Sequence, residues 1–379
     1  MNDFDKRIDR LGTHCAKWDK YQDQDVIPAW VADMDFHSPS CLNEALIKRV
    51  EHGVFGYTKI DESTIQATID FIKRHHDWDI KEEWIVWTHG VVVSMNIACR
   101  MLLENDEIIT TTPVYPHFIK APKNAQKKVT QVPLRKVNNR WSIDFDEFES
   151  HINSYCKLFL FCNPHNPGGT VFTREELEKI SDICIKHDLL ICTDEIHADL
   201  VINPDIKHIP IASLNADIKE RSITLMAPSK TFNIAGLQSS FAIIPNKELR
   251  LRFEKELTGI GGGINLLAIT ATKSVYSDGD DWLKDLKSYL LENFNLVKDF
   301  VHKNKNLKML SNDASFLAWI DCSALKVKNP YEFFLQFGVG LSEGAGFGDA
   351  NFVRLNFGTN KETLRKILTR MQTALDSLE

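Results

Sequence analysis

The chain has 379 residues, enough for about two domains. Its composition, with 43% hydrophobic and 26% charged residues, is that of a soluble globular protein. The net charge of −7 arises from 52 acidic and 45 basic side chains spread along the chain, without a block of like charges. This even distribution argues against nucleic acid as a partner.

The N-terminus and the cysteines indicate the compartment. The first ten residues, MNDFDKRIDR, lack the apolar run of a signal peptide, and no uncharged apolar stretch of about 18 residues follows. We therefore expect a cytoplasmic protein that does not bind membranes. The eight cysteines are scattered and form no C-x-x-C pair, as expected of reduced thiols. Cys184 and His187 have ligand spacing, but no second pair lies nearby, and we expect no metal.

Short apolar segments alternate with longer amphipathic ones between about residues 84 and 230. This pattern is typical of a parallel sheet covered by helices. Several of the apolar segments show almost no polar alternation, which indicates strands buried on both faces. The predicted strands are 84–88, 107–112, 157–162, 189–193 and 223–227.

One helix between these strands is well defined by the sequence. Thr173 and Glu176 form a capping box at its start. Apolar residues then recur at helical spacing, at Leu177, Ile180, Ile183 and Cys184. The helix ends before strand 189–193, so we expect a right-handed crossover between parallel strands.

The two chain ends differ in pattern from this central block. We predict a large domain over residues 45–282 and a smaller α+β domain formed by residues 1–44 and 283–379. The glycines 261–263 do not complete a G-x-G-x-x-G motif, which excludes a nicotinamide dehydrogenase of the usual kind.

Ligands of open parallel sheets bind beyond the carboxyl ends of the strands, so the residues that follow each predicted strand are candidate site residues. Gly90 follows the first strand and precedes a predicted helix from Val91 to Leu103, whose N-terminus suits a phosphate. Tyr115 follows the second strand between two prolines. Taken singly, the glycine is more often a turn residue and the tyrosine a core residue.

The remaining strand ends carry an amide, a carboxylate and an amine. Asn166 lies in the loop N-P-H-N-P-G-G after the third strand, where asparagine before proline is commonly turn chemistry. Asp194 ends the fourth strand, and a buried charge there needs a partner. Lys230 follows the fifth strand. Pyridoxal phosphate needs a lysine, an acid for its ring nitrogen, a donor for its phenolate oxygen, a stacking ring and a phosphate cradle, and all five are available.

The motifs N-P-H-N-P-x-G, D-E-I-H and S-K-T-F-N together resemble those of the class I/II aminotransferase superfamily, the pyridoxal-phosphate enzymes of fold type I. Within it the chain is similar to the cystathionine β-lyase-like carbon–sulfur lyases, through W-V-A-D-M-D-F at 30–36, F-G-Y-T at 55–58 and R-L-N at 354–356. The resemblance covers nearly the whole chain. It implies an α/β fold with a large doubly wound, mostly parallel-sheet domain, a small domain from both ends, and a homodimer.

The resemblance also implies a role for each candidate residue. Lys230 is the lysine that forms the Schiff base with pyridoxal phosphate and acts as catalytic base, and Asp194 pairs with the pyridine nitrogen. The other implied cofactor-binding residues are Gly90, Val91, Val92, Ser229, Tyr115, Asn166, His197 and, from the other subunit, Tyr57. Arg354, Ala32 and Asn166 bind the substrate, with the guanidinium on its carboxylate.

Three positions depart from the usual aminotransferase pattern. His197 stands where tyrosine is common, in agreement with the lyase subgroup, and Ala227 and Gln238 replace a serine and an arginine that often bind the phosphate. We therefore expect a carbon–sulfur β-lyase that converts cystathionine or a related sulfur amino acid to pyruvate, ammonia and a thiol. A pyridoxal-phosphate aminotransferase is the alternative, and a regulatory binding protein that retains the fold is a further one.

Overall fold

The computed structural model describes residues 3–260 and 263–378. Two of the three glycines at 261–263 lie outside the described residues. The helices are α1 (Ala16–Asp19), α2 (Ser40–Glu51), α3 (Glu62–His76), α4 (Val91–Arg100), α5 (His117–Asn124), α6 (Phe145–Ser150), α7 (Arg174–Lys186), α8 (Ala216–Lys219), α9 (Pro228–Thr231), α10 (Lys247–Leu257), α11 (Leu266–Asp278), α12 (Asp280–Lys303), α13 (Pro330–Gln336) and α14 (Lys361–Asp376).

The strands alternate with these helices along the chain. They are β1 (Ile27–Pro28), β2 (Ile85–Thr88), β3 (Glu107–Thr112), β4 (Val129–Pro133), β5 (Arg135–Val137), β6 (Arg140–Ser142), β7 (Cys156–Cys162), β8 (Leu190–Asp194), β9 (Ser222–Met226), β10 (Ser240–Ile243), β11 (Leu317–Asp321), β12 (Val339–Gly340), β13 (Ser342–Glu343) and β14 (Phe352–Asn356). The five strands predicted from the sequence are confirmed, with ends that differ by one residue at most.

The largest sheet among the described residues has seven strands in the order β2-β10-β9-β8-β7-β3-β4. Its pairs β9–β8, β8–β7, β7–β3 and β3–β4 are parallel, and β10 is antiparallel to both of its neighbours. The sheet is therefore mostly parallel, as predicted. The edge strand β4 and the antiparallel β10 were not predicted.

Strand β7 lacks polar alternation in its sequence because it is covered on both faces. Leu158 and Leu160 pack on one face of the sheet with residues of α4 and α5, while Phe159 and Phe161 pack on the other face with residues of α7. Successive side chains of a strand point to opposite faces, so a strand covered by helices on both sides must be apolar throughout.

Helix α7 begins as the sequence predicts. The Thr173 hydroxyl accepts a hydrogen bond from the Glu176 N–H, and the Glu176 carboxylate accepts one from the Thr173 N–H. This reciprocal cap uses N–H groups that the first helical turn cannot pair internally. The predicted helix after Gly90 is also present, although it ends at Arg100 rather than at Leu103.

A smaller layer brings the two chain ends together. Strand β1 near the N-terminus pairs in parallel with β12 near the C-terminus, and β11, β14 and β13 form a three-stranded sheet. Strands β1, β11, β12 and β14 and helices α12 and α14 contribute to one apolar cluster. The proposed domain limits at residues 44 and 282 stay a prediction. Within the described residues, no helix is long and apolar enough to cross a membrane, and all eight cysteines are free.

Candidate active site

The site lies where the parallel strands end. Strands β3, β7, β8 and β9 are parallel neighbours, so their carboxyl ends meet at one edge of the sheet. Asp194 is the last residue of β8, and Lys230 lies in the short helix α9 that follows β9. Asn166 and Tyr115 lie in the loops after β7 and β3, and the Tyr115 N–H donates to the Asn166 carbonyl at 2.9 Å.

The loop that carries Asn166 is fixed by its contacts with the segment 312–314. The N–H groups of Asp313 and Ala314 donate to the Gly169 carbonyl at 2.9 and 3.1 Å. Gly169 has φ +69°, and a Cβ placed there would lie 1.5 Å from Asn312 Oδ1. Glycine is therefore required at this position both for its backbone conformation and for the close approach.

The amine of Lys230 donates to the backbone carbonyl of Ala32 at 2.7 Å. Burial lowers the pKa of Lys230 to about 8, although the carboxylates of Asp33 and Asp194 partly offset this effect. A lysine of this kind is partly unprotonated near neutral pH. It can therefore act as a nucleophile or as a base.

Asp194 is a buried carboxylate that lacks a cationic partner in the part of the chain described. Its Oδ1 accepts a hydrogen bond from the Ile196 N–H at 3.1 Å, and the positive charge of Lys230 acts on it without forming a salt bridge among these residues. Burial raises the pKa of Asp194 to about 7, although the hydrogen bond from the Ile196 N–H and the charge of Lys230 oppose the rise. A cation placed beside Asp194 would relieve this cost.

Arg354 on β14 is also buried, and burial lowers its pKa to about 10. Its guanidinium donates to Asn166 Oδ1 at 3.0 Å, to the Trp30 carbonyl at 3.1 Å and to Ser342 Oγ at 3.3 Å. The Phe347 ring lies 4.6 Å from the guanidinium carbon. The Nε–H of Arg354 has no partner among the described residues, so the guanidinium retains capacity for an anion.

His197 follows Asp194 by three residues and is buried in the same region. Its pKa falls to about 3 because of burial, with further lowering by the positive charges of Lys230 and Arg354. The ring is therefore neutral, and its Nδ1 has no partner in the described part of the chain. The structure thus brings together Lys230, Asp194, His197, Asn166, Tyr115, Arg354 and Ala32.

The residues predicted to hold a phosphate lie at the same edge of the sheet. Strand β2 is parallel to β9 because both are antiparallel to β10. Gly90 therefore precedes α4, and Val91 and Val92 begin it, at the edge of the sheet where Ser229 follows β9. Free N–H groups in the first turn of a helix bind anions. Tyr57, in contrast, is fully exposed and lies beside the start of α11, in a segment without helix or strand.

Residues 30–36, called here the strap, cross the site without regular secondary structure. Asn356 Nδ2 donates to the carbonyls of Val31 and Asp33 at 2.6 and 2.7 Å. Asn233 Nδ2 donates to those of Met34 and Phe36 at 2.9 and 3.0 Å. Both asparagines belong to motifs in the sequence, S-K-T-F-N and R-L-N, but their spacing gave no sign that they clamp one segment.

Two buried histidine–carboxylate pairs lie next to the site and were not anticipated from the sequence. His208 Nε2 lies 2.6 Å from Glu195 Oε2, and His76 Nε2 lies 2.8 Å from Asp199 Oδ1. The hydroxyl of Thr231, next to Lys230, donates to the second Asp199 oxygen at 2.7 Å. The partners are up to 123 positions apart in the chain, so no local pattern reveals them.

The residues present fit pyridoxal phosphate. The buried Asp194 lacks a cation, which a protonated pyridine nitrogen supplies, and Lys230 has the lowered pKa that bonding to an aldehyde requires. The sequence profile described as "Aminotransferase class I and II" matches residues 31–371. The chain belongs to this family.

Relatives of known name span its whole length. The chain is 38% identical to "Cystathionine beta-lyase PatB" of Bacillus subtilis, over 98% of this chain and 99% of that protein. It is similar to cystalysin of Treponema denticola, a solved structure that contains a pyridoxal 5'-phosphate cofactor, with 34% identity, a TM-score of 0.96 and full coverage of both chains at 100%. The crystal structure of OvoB matches with 44% identity, a TM-score of 0.97 and 99% coverage of each chain.

Proposed function

We propose that the protein is a pyridoxal-phosphate-dependent carbon–sulfur β-lyase. Its substrate would be cystathionine or a related S-substituted cysteine, and its products pyruvate, ammonia and a thiol. The observation that carries the proposal is the unpaired, buried Asp194 beside Lys230 and Arg354, because these groups match a protonated ring nitrogen, an aldehyde and an amino-acid carboxylate. The relatives named as a cystathionine β-lyase and cystalysin support this reaction type.

Five groups of residues would hold the cofactor. Lys230 would bond the aldehyde, Asp194 would pair with the ring nitrogen, and Asn166 would donate to the phenolate oxygen. Tyr115 and His197 would lie against the ring, and the N–H groups at 90–92 with Ser229 would bind the phosphate. When bound, pyridoxal phosphate supplies an electron-accepting ring that stabilises negative charge on the substrate α-carbon.

Arg354 would orient the substrate. Its guanidinium presents parallel N–H donors that match a carboxylate, and the Asn166, Trp30 and Ser342 contacts restrict its position. The Phe347 ring on one side further limits its movement. Holding the carboxylate in this way would orient the substrate α-carbon towards Lys230, which is the positioning that proton transfer needs.

Lys230 would move the proton. Because burial lowers its pKa to about 8, its amine is partly free of protons near neutral pH and can remove the α-proton. The thiol leaves from the neighbouring β-carbon, and the carbonyl of Ala32, 2.7 Å from Nζ, holds the amine near the site between steps.

The protein would act as a cytoplasmic homodimer. Large apolar side chains are exposed in one stretch of the chain, at Ile47, Val50, Val54, Phe55 and Tyr57. Such a concentration of exposed apolar surface is typical of an interface. A second copy on this surface would bring Tyr57 to the neighbouring site, which agrees with its full exposure in the single chain.

The test is the elimination reaction without any keto acid. Cystathionine or cystine should yield many equivalents of pyruvate per active site, because a β-lyase regains its Lys230-bound cofactor in each cycle. An aminotransferase leaves the amino group on the cofactor and needs a keto acid to continue. One equivalent of pyruvate or less, with turnover restored by an added keto acid, would establish transamination and refute the lyase proposal.

A further inference from the structure

Two basic side chains near the N-terminus form an ionic cluster with two carboxylates of the strap. Arg10 bridges two carboxylates, with Nη2 2.8 Å from Asp33 Oδ2 and Nη1 2.7 Å from Asp35 Oδ1. Lys17 Nζ lies 2.8 Å from Asp35 Oδ2, and the side chains of Lys17 and Asp35 are only 1% and 4% exposed. The four charges sum to zero, and Trp18 Nε1 donates to Asp35 at 2.9 Å.

Stability alone is a weak reason for such a cluster. Removing two charges from water is costly, and a buried ion pair is often no more stabilising than apolar side chains of the same size. A better supported use of buried ion pairs is to fix one arrangement of the chain over alternatives.

The cluster holds the strap by its backbone as well as by its carboxylates. Arg10 Nη1 donates to the Met34 carbonyl at 3.1 Å, and Lys17 Nζ donates to the Asp33 carbonyl at 3.4 Å. Two carbonyls earlier in the same strap accept hydrogen bonds from side chains of the site. The Ala32 carbonyl accepts one from Lys230 at 2.7 Å, and the Trp30 carbonyl accepts one from Arg354 at 3.1 Å.

The register of the strap therefore sets two contacts of the active site. A shift by one residue moves each carbonyl by more than 3 Å, which breaks a hydrogen bond of normal length. Asn233 and Asn356 hold the strap from the body of the protein, and Arg10 with Lys17 holds it from the N-terminal segment. Arg10 and Lys17 both precede residue 31, where the match to the family begins.

We propose that Arg10, through Asp33, Asp35 and the Met34 carbonyl, is a positioning residue of the active site. It keeps the strap in the register that places the Ala32 and Trp30 carbonyls on Lys230 and Arg354. Arg10 contacts neither of these side chains and acts only through the strap. This inference rests on the proposed functions of Lys230 and Arg354 in cofactor and substrate binding.

Arg10→Gln is the variant that separates positioning from folding. Lys17→Met would strand the buried Asp35 without its nearest cation, and the protein could fail to fold. In Arg10→Gln the Lys17 and Trp18 contacts of Asp35 remain. Arg10→Lys keeps the charge but cannot bridge both carboxylates. Arg74→Gln is a matched control, because Arg74 also joins a carboxylate, Asp280, and a backbone carbonyl, Tyr276, elsewhere in the fold.

The experiment compares these variants as cofactor-loaded proteins. Hydrogen exchange is measured at the Met34 and Asp35 amides, which donate to the Asn233 side chain and the Gly358 carbonyl. We expect Arg10→Gln to exchange about tenfold faster at these two amides, with the rest of the chain unchanged. The KM for cystathionine should rise about tenfold with a smaller change in kcat, and the dissociation constant for pyridoxal phosphate should rise as well. Arg10→Lys should be intermediate, and Arg74→Gln should match wild type in both measurements.

Two results would overturn the inference. Unchanged hydrogen exchange in the strap would show that Arg10 does not hold the strap. Faster exchange with unchanged substrate and cofactor affinity would show that the register of the strap does not affect the active site. The exchange rates and the dissociation constant for pyridoxal phosphate are measurable whatever reaction the protein catalyses. If wild type eliminates no thiol, these two readouts still decide the inference, separately from the proposed function.

Discussion

At the scale of single residues, burial determines the chemistry of the site. Asp194, Lys230 and Arg354 are each shifted towards their uncharged forms by loss of water, and the opposite charges nearby offset this shift only in part. Their positions at the strand ends located Asp194 and Lys230 in the sequence, whereas only the family resemblance located Arg354. Their pKa shifts depend on what surrounds them in space, which no local pattern records.

The pKa of Asp194 makes the stability of the cofactor-free protein depend on pH. The native pKa of about 7 lies above the ordinary value of 3.8, so the folded state binds the proton more tightly between these values. The contribution of Asp194 to the free energy of unfolding therefore falls as pH rises from about 4 to about 7, by up to about 4 kcal/mol. The lowered pKa of His197 acts in the opposite direction, so the contribution of Asp194 is the difference between wild type and Asp194→Asn. We expect Asp194→Asn to lack this fall. Urea unfolding at several pH values measures it.

The cofactor-loaded wild type is the control for that measurement. Pairing with the ring nitrogen should favour the ionised carboxylate, so the fall in stability should shrink when pyridoxal phosphate is bound. Identical pH dependence in wild type and Asp194→Asn, both free of cofactor, would contradict the account of Asp194.

Arg354→Lys tests the proposed pair of hydrogen bonds from the guanidinium to the substrate carboxylate. Lysine keeps the positive charge but offers no pair of parallel donors, so substrate binding should weaken. We expect the KM to rise by about 10- to 100-fold, with a smaller loss of kcat from misorientation. Steady-state kinetics on the purified variant measures both. A large loss of kcat at unchanged KM would mean that Arg354 acts in the chemical step instead.

At the scale of elements, the strand ends were predictable and the connections were not. The apolar run of β7 and the capping box of α7 each fix an element from neighbouring residues alone. Strand β10 has only four residues, and its antiparallel direction depends on its partners β2 and β9. Edge strand β4 is partly exposed, so its hydrophobic pattern was too weak to predict.

The loop between β7 and α7 is expected to need glycine at position 169. Gly169→Ala should destabilise the protein by more than about 1 kcal/mol and lower activity, because the methyl group collides with Asn312 and displaces the loop of Asn166. Gly12→Ala is the matched control, since Gly12 has nearly the same φ of +68° but no atom within 4 Å of the added Cβ. Thermal unfolding and kcat/KM measure both effects. Equal losses in the two variants would exclude the close contact as the cause.

At the scale of the whole molecule, the family resemblance anticipated a site built from distant segments, but not how they join. The strap contacts link residue 34 to residue 233 and residue 31 to residue 356. Contacts over such distances along the chain follow from the tertiary fold and leave no periodic pattern. The different pattern of the two chain ends, together with the family resemblance, indicated that both ends combine, and the β1–β12 pair has this arrangement.

The exposed apolar surface around residues 47–57 predicts a dimer. Sedimentation should give about twice the chain mass of 43.3 kDa, and Phe55→Asp should shift the protein towards the monomer with loss of activity. Leu251→Asp is the control, because Leu251 on α10 is similarly exposed but lies in another part of the chain. A wild-type protein that sediments as a monomer at micromolar concentration would exclude the dimer.

Lys230 is proposed to carry the cofactor opposite Asp194. The most direct measurement is borohydride reduction of the purified, cofactor-loaded protein, followed by digestion and mass spectrometry of the modified peptide. We predict one pyridoxyl-modified peptide, with the modification on Lys230, and none in Lys230→Ala. Modification of a different lysine, or unchanged labelling of the Lys230→Ala protein, would contradict the account.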